Sequence, residues 1–581
     1  MRTSRVGAVL VLVCIAVALC AGFVSTSGCS GSGSPAGTDD DDPPTVGDTI
    51  YVDPAFAGEE HGTRDNPFDT IGEALDIAGH GDRIVLAAGS YDDQNDIEVG
   101  HAVEIVGAGR TLTTFGVGFA LAADTSASPV LVESLACASV YTLQDTSAAS
   151  RCAYEVRGCL LDGLADSVAL VDSLHYRLVE DCEIAGDVYL GGGAVKADCA
   201  IRDCGIGGGV RLVGIAARGD LALEGCTIGG DAEVWSVAAY TEQRAEDCDV
   251  AGSLSLLSTL SRGTRAVGNT VGGDSLTVSG VSVDTAYVSD NVVTDGDLFV
   301  RGRSIAAEIT GNTVSDGTLR FHGRSASVGI HDNAVTRSTV GTGIHVYAVA
   351  LSRPVMGNTV TVPYAAWSGI DAPHDTLSAA AIFVDGTSIQ GVRGNEISGG
   401  AYGIYVRGLA IGAVSDNAVS DSETGIAVIS VSAPVDSNAV HDCVGDGVAL
   451  YAHPEVTPDQ TWLPLEANTV ADNGGAGVRV CTRTSLGLGS GRARALGAVR
   501  PTGASVLPRG WYRSDGGNVL IGNADYDLAV ELLAADCDTL FARGNTWDHA
   551  DSLSIGIEDI YDKQDDPTRA KALYWPATRR H

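Results

Sequence analysis

Arginines set among aromatic rings are the residues of this 581-residue chain whose types most directly suggest chemistry. They gather in two stretches, 452–463 and 481–516, as His453, Trp462, Arg483, Arg492, Arg494, Arg500, Arg509, Trp511 and Tyr512. A guanidinium pairs with a carboxylate through two parallel hydrogen bonds, and flat rings stack on sugar faces, so such a knot suits an anionic glycan. The same residues would also serve as solvated loop residues whose arginines pair nearby aspartates. A third stretch, 359–381, carries Tyr364, Trp367 and His374. Abstraction of an acidic C–H proton needs a Lys or Arg base beside calcium-binding acids. Of three lysines (Lys196, Lys563, Lys571) only Lys196 stands within the repeats described below, and no acid cluster surrounds it. Two methionines and scattered histidines argue against soft-metal handling.

The charge balance narrows the partners. With 74 acidic and 36 basic residues the chain carries −38, which makes a phosphate-tracking surface for nucleic acid a poor expectation. Being 45% apolar and only 19% charged, it is not expected to be disordered. A typical domain size suggests about four domains, unless the chain is a solenoid, in which each repeat packs only on its neighbours.

Arg2 and Arg5 precede an uncharged apolar run at 6–24, the order of an export signal. Its end, Ser27-Gly28-Cys29, resembles the bacterial lipobox, although Thr26 stands where that motif has Leu. The resemblance implies export, lipidation of Cys29 and attachment to a membrane of the cell envelope through that lipid alone. An uncleaved anchor and ordinary signal cleavage are the alternatives. Residues 1–28 then form the signal. Residues 29–48, rich in Gly, Ser and Pro with aspartates at 39–42, form a self-repelling tether.

Internal periodicity decides the rest. Cys159, Cys182, Cys204, Cys226, Cys248, Asn269, Asn291, Asn312 and Asn333 follow one another at steps of 21 to 23 residues, and the series continues through Asn358, Asn395, Asn417, Asn438 and Asn468. Longer steps mark inserted loops. Short alternating runs recur within each period, such as Gly-Ile-Tyr-Val at 403–406, and alternation of period two means strands. Three short strands per 22 residues, with Gly and Asp at the corners, describe one coil of a parallel β-helix. Equivalent positions then form ladders at about 4.8 Å. The Asn series reads as such a ladder, and the five cysteines occupy the same position as small buried fillers. A straight stack does not supply the tetrahedral ligands zinc requires. The residue before each ladder position is Asp or Gly, a turn former, so much of the acidity belongs to corners and calcium there is only a possibility.

Residues 49–107 carry Tyr-Val, Asn66-Pro67-Phe68-Asp69-Thr70-Ile71 and Gly81-Asp82-Arg83-Ile84, with a helix started by a Thr70/Glu73 capping box, closed by Gly79 and apolar at Ala74, Leu75 and Ala78. This pattern resembles the N-terminal cap of pectin-lyase-like β-helix proteins of the DUF1565 type. Residues 544–581 resemble the terminal segment of right-handed β-helix repeat proteins. The resemblance implies an all-β, right-handed parallel β-helix over 108–543, capped at both ends and monomeric. Asp162 to Val168 followed by Asp187-Val188-Tyr189 looks like the two catalytic coils of pectin methylesterases. There Asp166 matches the acid, Ala165 replaces the glutamine and Tyr189 stands at the nucleophile position, with Asp187 two residues earlier on the same face. The expectation is an envelope-anchored scaffold or polysaccharide-binding protein. The alternative is a polysaccharide-active lyase, hydrolase or esterase using Asp166, Asp187 or Lys196 on an anionic glycan.

Overall fold

In the computed structural model, residues 48–91, 97–122, 129–142, 153–166, 173–174, 177–192, 194–195, 198–214, 219–237, 241–364, 379–452, 464–481, 514–531, 539–543, 545–549, 551–562, 564–567 and 571–574 are described. They form a parallel β-helix. One coil runs Arg177–Glu180, Glu183–Ile184 and Val188–Gly192. Each strand pairs in parallel with its equivalent one coil on, Arg177 with Cys199, Ile184 with Ile206 and Val188 with Val210. From residue 254 the third strand of one coil runs straight into the first strand of the next, as in Leu254–Val267, Ser275–Ser289, Asp297–Thr310 and Leu319–His331.

Alternation explains the core. In the third strands, the row Val188, Val210, Ala232, Leu254, Leu276, Leu298, Leu319, Ile344, Ile382, Ile404, Ile426 and Val448 points inward and is buried throughout. Burial of each such aliphatic side chain contributes about 1.5–3 kcal/mol. The fold's stability is therefore distributed along the column rather than concentrated in one centre.

The ladder starts at the cysteines and passes to asparagine. The backbone N–H of Cys248 donates to Asn269 Oδ1 at 3.1 Å, and each later Asn accepts from the backbone and the side-chain amide of the one before. It extends further than the periodicity of the sequence indicated, through Asn468 to Asn518 and Asn545. A second ladder at the next corner, Cys443, Asn473 and Asn523, has the same geometry.

The residue before each first-ladder position adopts positive φ. Here Asp and Gly alternate from coil to coil: Asp203, Gly225, Asp247, Gly268, Asp290, Gly311, Asp332, Gly357. The alternation is steric as well as conformational. A Cβ at Gly311, whose φ is +66°, would lie 2.5 Å from Asp290 Oδ1. Gly311→Ala is expected to lower stability by about 1–2 kcal/mol for the left-handed backbone alone, seen as a lower urea midpoint. Gly311→Asn should lose less.

The ends are covered. Helix α1, Ile71–Ile77, buries Ile71 and Ala74, and Thr70 Oγ1 accepts from Glu73 N–H while donating to its carboxylate. The helix closes one residue earlier than the sequence suggests. Ala78 is the C-cap, and Gly79 N–H instead donates to Asp82 Oδ2 at 2.8 Å. At the other end Trp547, Ile555 and Ile560 are buried under the last coils.

Candidate functional site

The outward-facing residues of the third strands make one long face, and register fixes its rows. One row reads Tyr189, Arg211, Glu233, Ser255, Thr277, Phe299, Arg320, His345, Phe383, Tyr405, Ala427 and Ala449. The row two residues on includes Trp235, Arg301, His322, Tyr347, Asp385, Arg407 and Tyr451.

Basic groups concentrate at the middle of this face. Phe299-x-Arg301-x-Arg303 and Arg320-x-His322-x-Arg324 lie on adjacent coils, with Phe299 beside Arg320 and Arg301 beside His322. Coils repeat at about 4.8 Å and alternate residues at about 6.8 Å, so four guanidiniums and an imidazole share one small exposed patch. Arg301 lies over the Phe299 ring, 5.6 Å from its centroid, and its Nε donates to Ser279 Oγ at 2.7 Å. Arg320 pairs with Asp297 at 3.1 Å. Arg303 and Arg324 form no ion pair among the described residues.

Rings flank the patch on both sides. His322 meets Tyr347 edge to face at 4.8 Å, and His345, Phe383, Tyr405 and Tyr402 follow in a chain of ring contacts at 5.0 to 5.3 Å. Burial, followed by the neighbouring Arg320 guanidinium, lowers the pKa of His345, which favours the neutral ring. Arg211 lies between the Tyr189 and Trp235 rings, at 6.0 and 5.9 Å. Other acids of the face are held by arginines: Glu233 by Arg211 at 3.0 Å, Asp385 by Arg407, and Asp446 by Arg479 through two hydrogen bonds.

The residues singled out in the sequence fall as follows. Register sets Ala165 opposite Tyr189 and Asp166 opposite Leu190, three positions beyond Asp187. Asp187 is an exposed corner residue whose Oδ1 accepts from Gly209 N–H at 2.7 Å. Lys196, Cys29, Trp367, His374, His453, Trp462, Arg483, Arg492, Arg494, Arg500, Arg509, Trp511 and Tyr512 lie outside the described residues. The stretches 453–463 and 482–513 follow Val448–Ala452 and Val478–Cys481, which are register neighbours. Residues 365–378 lead into Ala380–Ile389 at the other end of the same strand row. The third insertion therefore adjoins the same face, although its separate corner suggested a different side.

Two carboxylate groups bring three oxygens within 4.8 Å of one another: Glu60, Asp69 and Glu73 beside α1, and Asp527, Asp548 and Asp559 at the C-terminal cap. In the second, Asn523 Nδ2 donates to Asp527 at 2.8 Å and His549 Nδ1 contacts Asp559 at 2.7 Å. Burial, reinforced by the Asp548 and Asp559 charges, pushes Asp527 up to about 7. The Asp559 hydrogen bond raises His549, and burial raises Asp559. Each of these groups binds protons more tightly folded than unfolded. Their stabilisation is present at low pH and is lost as pH rises toward and through 7, by up to about 4 kcal/mol for Asp527. With a chelator present, Asp527→Asn should raise the melting temperature by several degrees at pH 8 and leave it nearly unchanged at pH 5.

The arginine patch carries a sequence signal of its own. Two strands with basic residues at alternate positions, at 301 and 303 and at 320, 322 and 324, lie one repeat apart, eight to twelve residues beyond Asn291 and Asn312. Reading the ladder column alone passes over them.

A family model described as a right handed beta helix region matches residues 374–488. None of the curated proteins matches the chain. With the coils and registers above, this makes the fold all-β, a right-handed parallel β-helix.

Proposed function

We propose that this is an exported polysaccharide-binding protein, held at the cell envelope through Cys29, which lays an anionic glycan along the outward face of the third strands. The array of Arg301, Arg303, Arg320 and Arg324 around His322 carries the reading. On a chain of net charge −38, such a local basic patch attracts an anionic group while the surrounding acids repel it elsewhere. Guanidiniums recognise carboxylates or sulfates in two-pronged fashion, and the adjoining rings offer stacking faces for the sugars between them. Glu233, Asp297, Asp385 and Asp446 are engaged by arginines. Acids so paired serve as positioners of guanidiniums more readily than as proton donors or nucleophiles, which favours binding over catalysis.

Affinity electrophoresis through gels containing a polyuronate or a neutral glycan tests this. Retardation by the polyuronate alone is expected, without product release. Equal mobility in both gels would contradict the assignment.

A further inference from the structure

Five thiols in an unbroken row are the feature that neither the core nor the glycan-binding face accounts for. Cys159, Cys182, Cys204, Cys226 and Cys248 sit one per coil, each at most 2% exposed, between Leu135 and Asn269 in the ladder column. All five are free. Each thiol engages the next, from Cys159 to Cys182 and on to Cys204, Cys226 and Cys248. Each sulphur also lies 3.0 to 3.3 Å from the carbonyl oxygen two residues before it.

The scarcity of Met and the scatter of His argued against soft-metal handling, but thiolate is the softest ligand a protein offers and selects d10 ions such as copper(I). A straight row is wrong for tetrahedral zinc and right for two-coordinate, linear ligation. Two metal–sulphur bonds of about 2.3 Å laid end to end span about 4.6 Å, against a coil repeat of about 4.8 Å. We propose that the row binds copper(I), one ion between each pair of consecutive sulphurs, up to four in all.

Each uptake breaks one S–H bond, forms two metal–sulphur bonds and releases a proton to solvent. No electron is transferred. A +1 ion replaces H+ in the S–H···S link, so no net charge is added to the aliphatic core, where an uncompensated charge is costly. The backbone N–H of Cys159, directed at Cys182 Sγ at 3.5 Å, would support the thiolate formed there.

The test uses the full chain, reduced, unfolded in urea and refolded with silver(I) as an air-stable copper(I) analogue, then gel-filtered and examined by native mass spectrometry and sulphur–metal X-ray absorption. The triple variant C182N/C204N/C226N continues the chain's own Asn ladder and leaves Cys159 and Cys248 without neighbouring thiols. C182S/C204S/C226S serves as a second variant, and circular dichroism verifies both folds. The wild type should retain four more silver ions than either variant, each with two sulphur neighbours, and copper(I) should displace them. Equal retention by wild type and a folded variant, or a shell of three or four sulphurs, would overturn the proposal.

Discussion

Replacing Arg303 and Arg324 together by Glu is expected to weaken polyuronate binding by at least about 100-fold while leaving the melting temperature within a degree or two of wild type. Both side chains are exposed and free of ion pairs among the described residues, so their removal strands no buried partner. A hydrogen bond to a charged group is worth about 1.5–3 kcal/mol. Two such losses amount to about 3–6 kcal/mol, and every 1.4 kcal/mol is tenfold in affinity. The substituted carboxylates add repulsion. Arg303→Lys with Arg324→Lys should recover part of the binding, since the charge remains while the two-pronged geometry is lost. Titration calorimetry with a uronate oligomer measures all three proteins. Unchanged affinity in the double Glu variant would remove the patch from the site.

Asn312→Ala should cost about 3–5 kcal/mol, the largest stability effect expected from one ladder substitution. Asn312 Oδ1 accepts from the backbone N–H and the Nδ2 of Asn291, at 3.1 and 2.9 Å. Its Nδ2 donates to Val288 O, Thr310 O and Asn333 Oδ1, at 2.8, 3.1 and 2.9 Å. Alanine leaves several of these groups buried without a partner, at about 1–3 kcal/mol each, in a column where water has no access. Asn312→Cys should cost less, because this chain already runs five cysteines through the same column and their sulphurs contact the equivalent carbonyls. Asn312→Asp should be as harmful as alanine, because a carboxylate would face three oxygens it cannot donate to. Urea unfolding of the four proteins orders them. A ladder that merely fills space would instead rank Cys and Ala alike.

The fold was legible because a solenoid writes its geometry into the sequence as a period. Asn269, Asn291, Asn312 and Asn333 stand at one column, and the Asp or Gly before each has the positive φ that those residue types suggest. The column's last members, Asn518 and Asn545, escaped because the long insertion at 481–516 breaks the spacing. The second ladder escaped because it begins as Cys443 and only then becomes Asn473 and Asn523. The site was less legible for a different reason. Aromatic and basic residues concentrated in inserted loops draw attention as a local cluster. Phe299, Arg301, Arg303, Arg320, His322 and Arg324 become a cluster only when two strands a full coil apart are laid side by side. The Asp166 and Asp187 pairing rested on counting along two coils of different length, and the register instead sets Asp166 beside Leu190.

The most direct measurement of the central claim is equilibrium binding of a uronate oligomer and of the same oligomer with its carboxylates reduced to alcohols, by calorimetry at 0.1 M and 0.5 M salt. The account predicts saturable binding of the uronate, clearly weakened at the higher salt as the guanidinium–carboxylate attraction is screened, and little or no binding of the reduced chain. Equal affinity for the two oligomers, or uronate binding indifferent to salt, would contradict it.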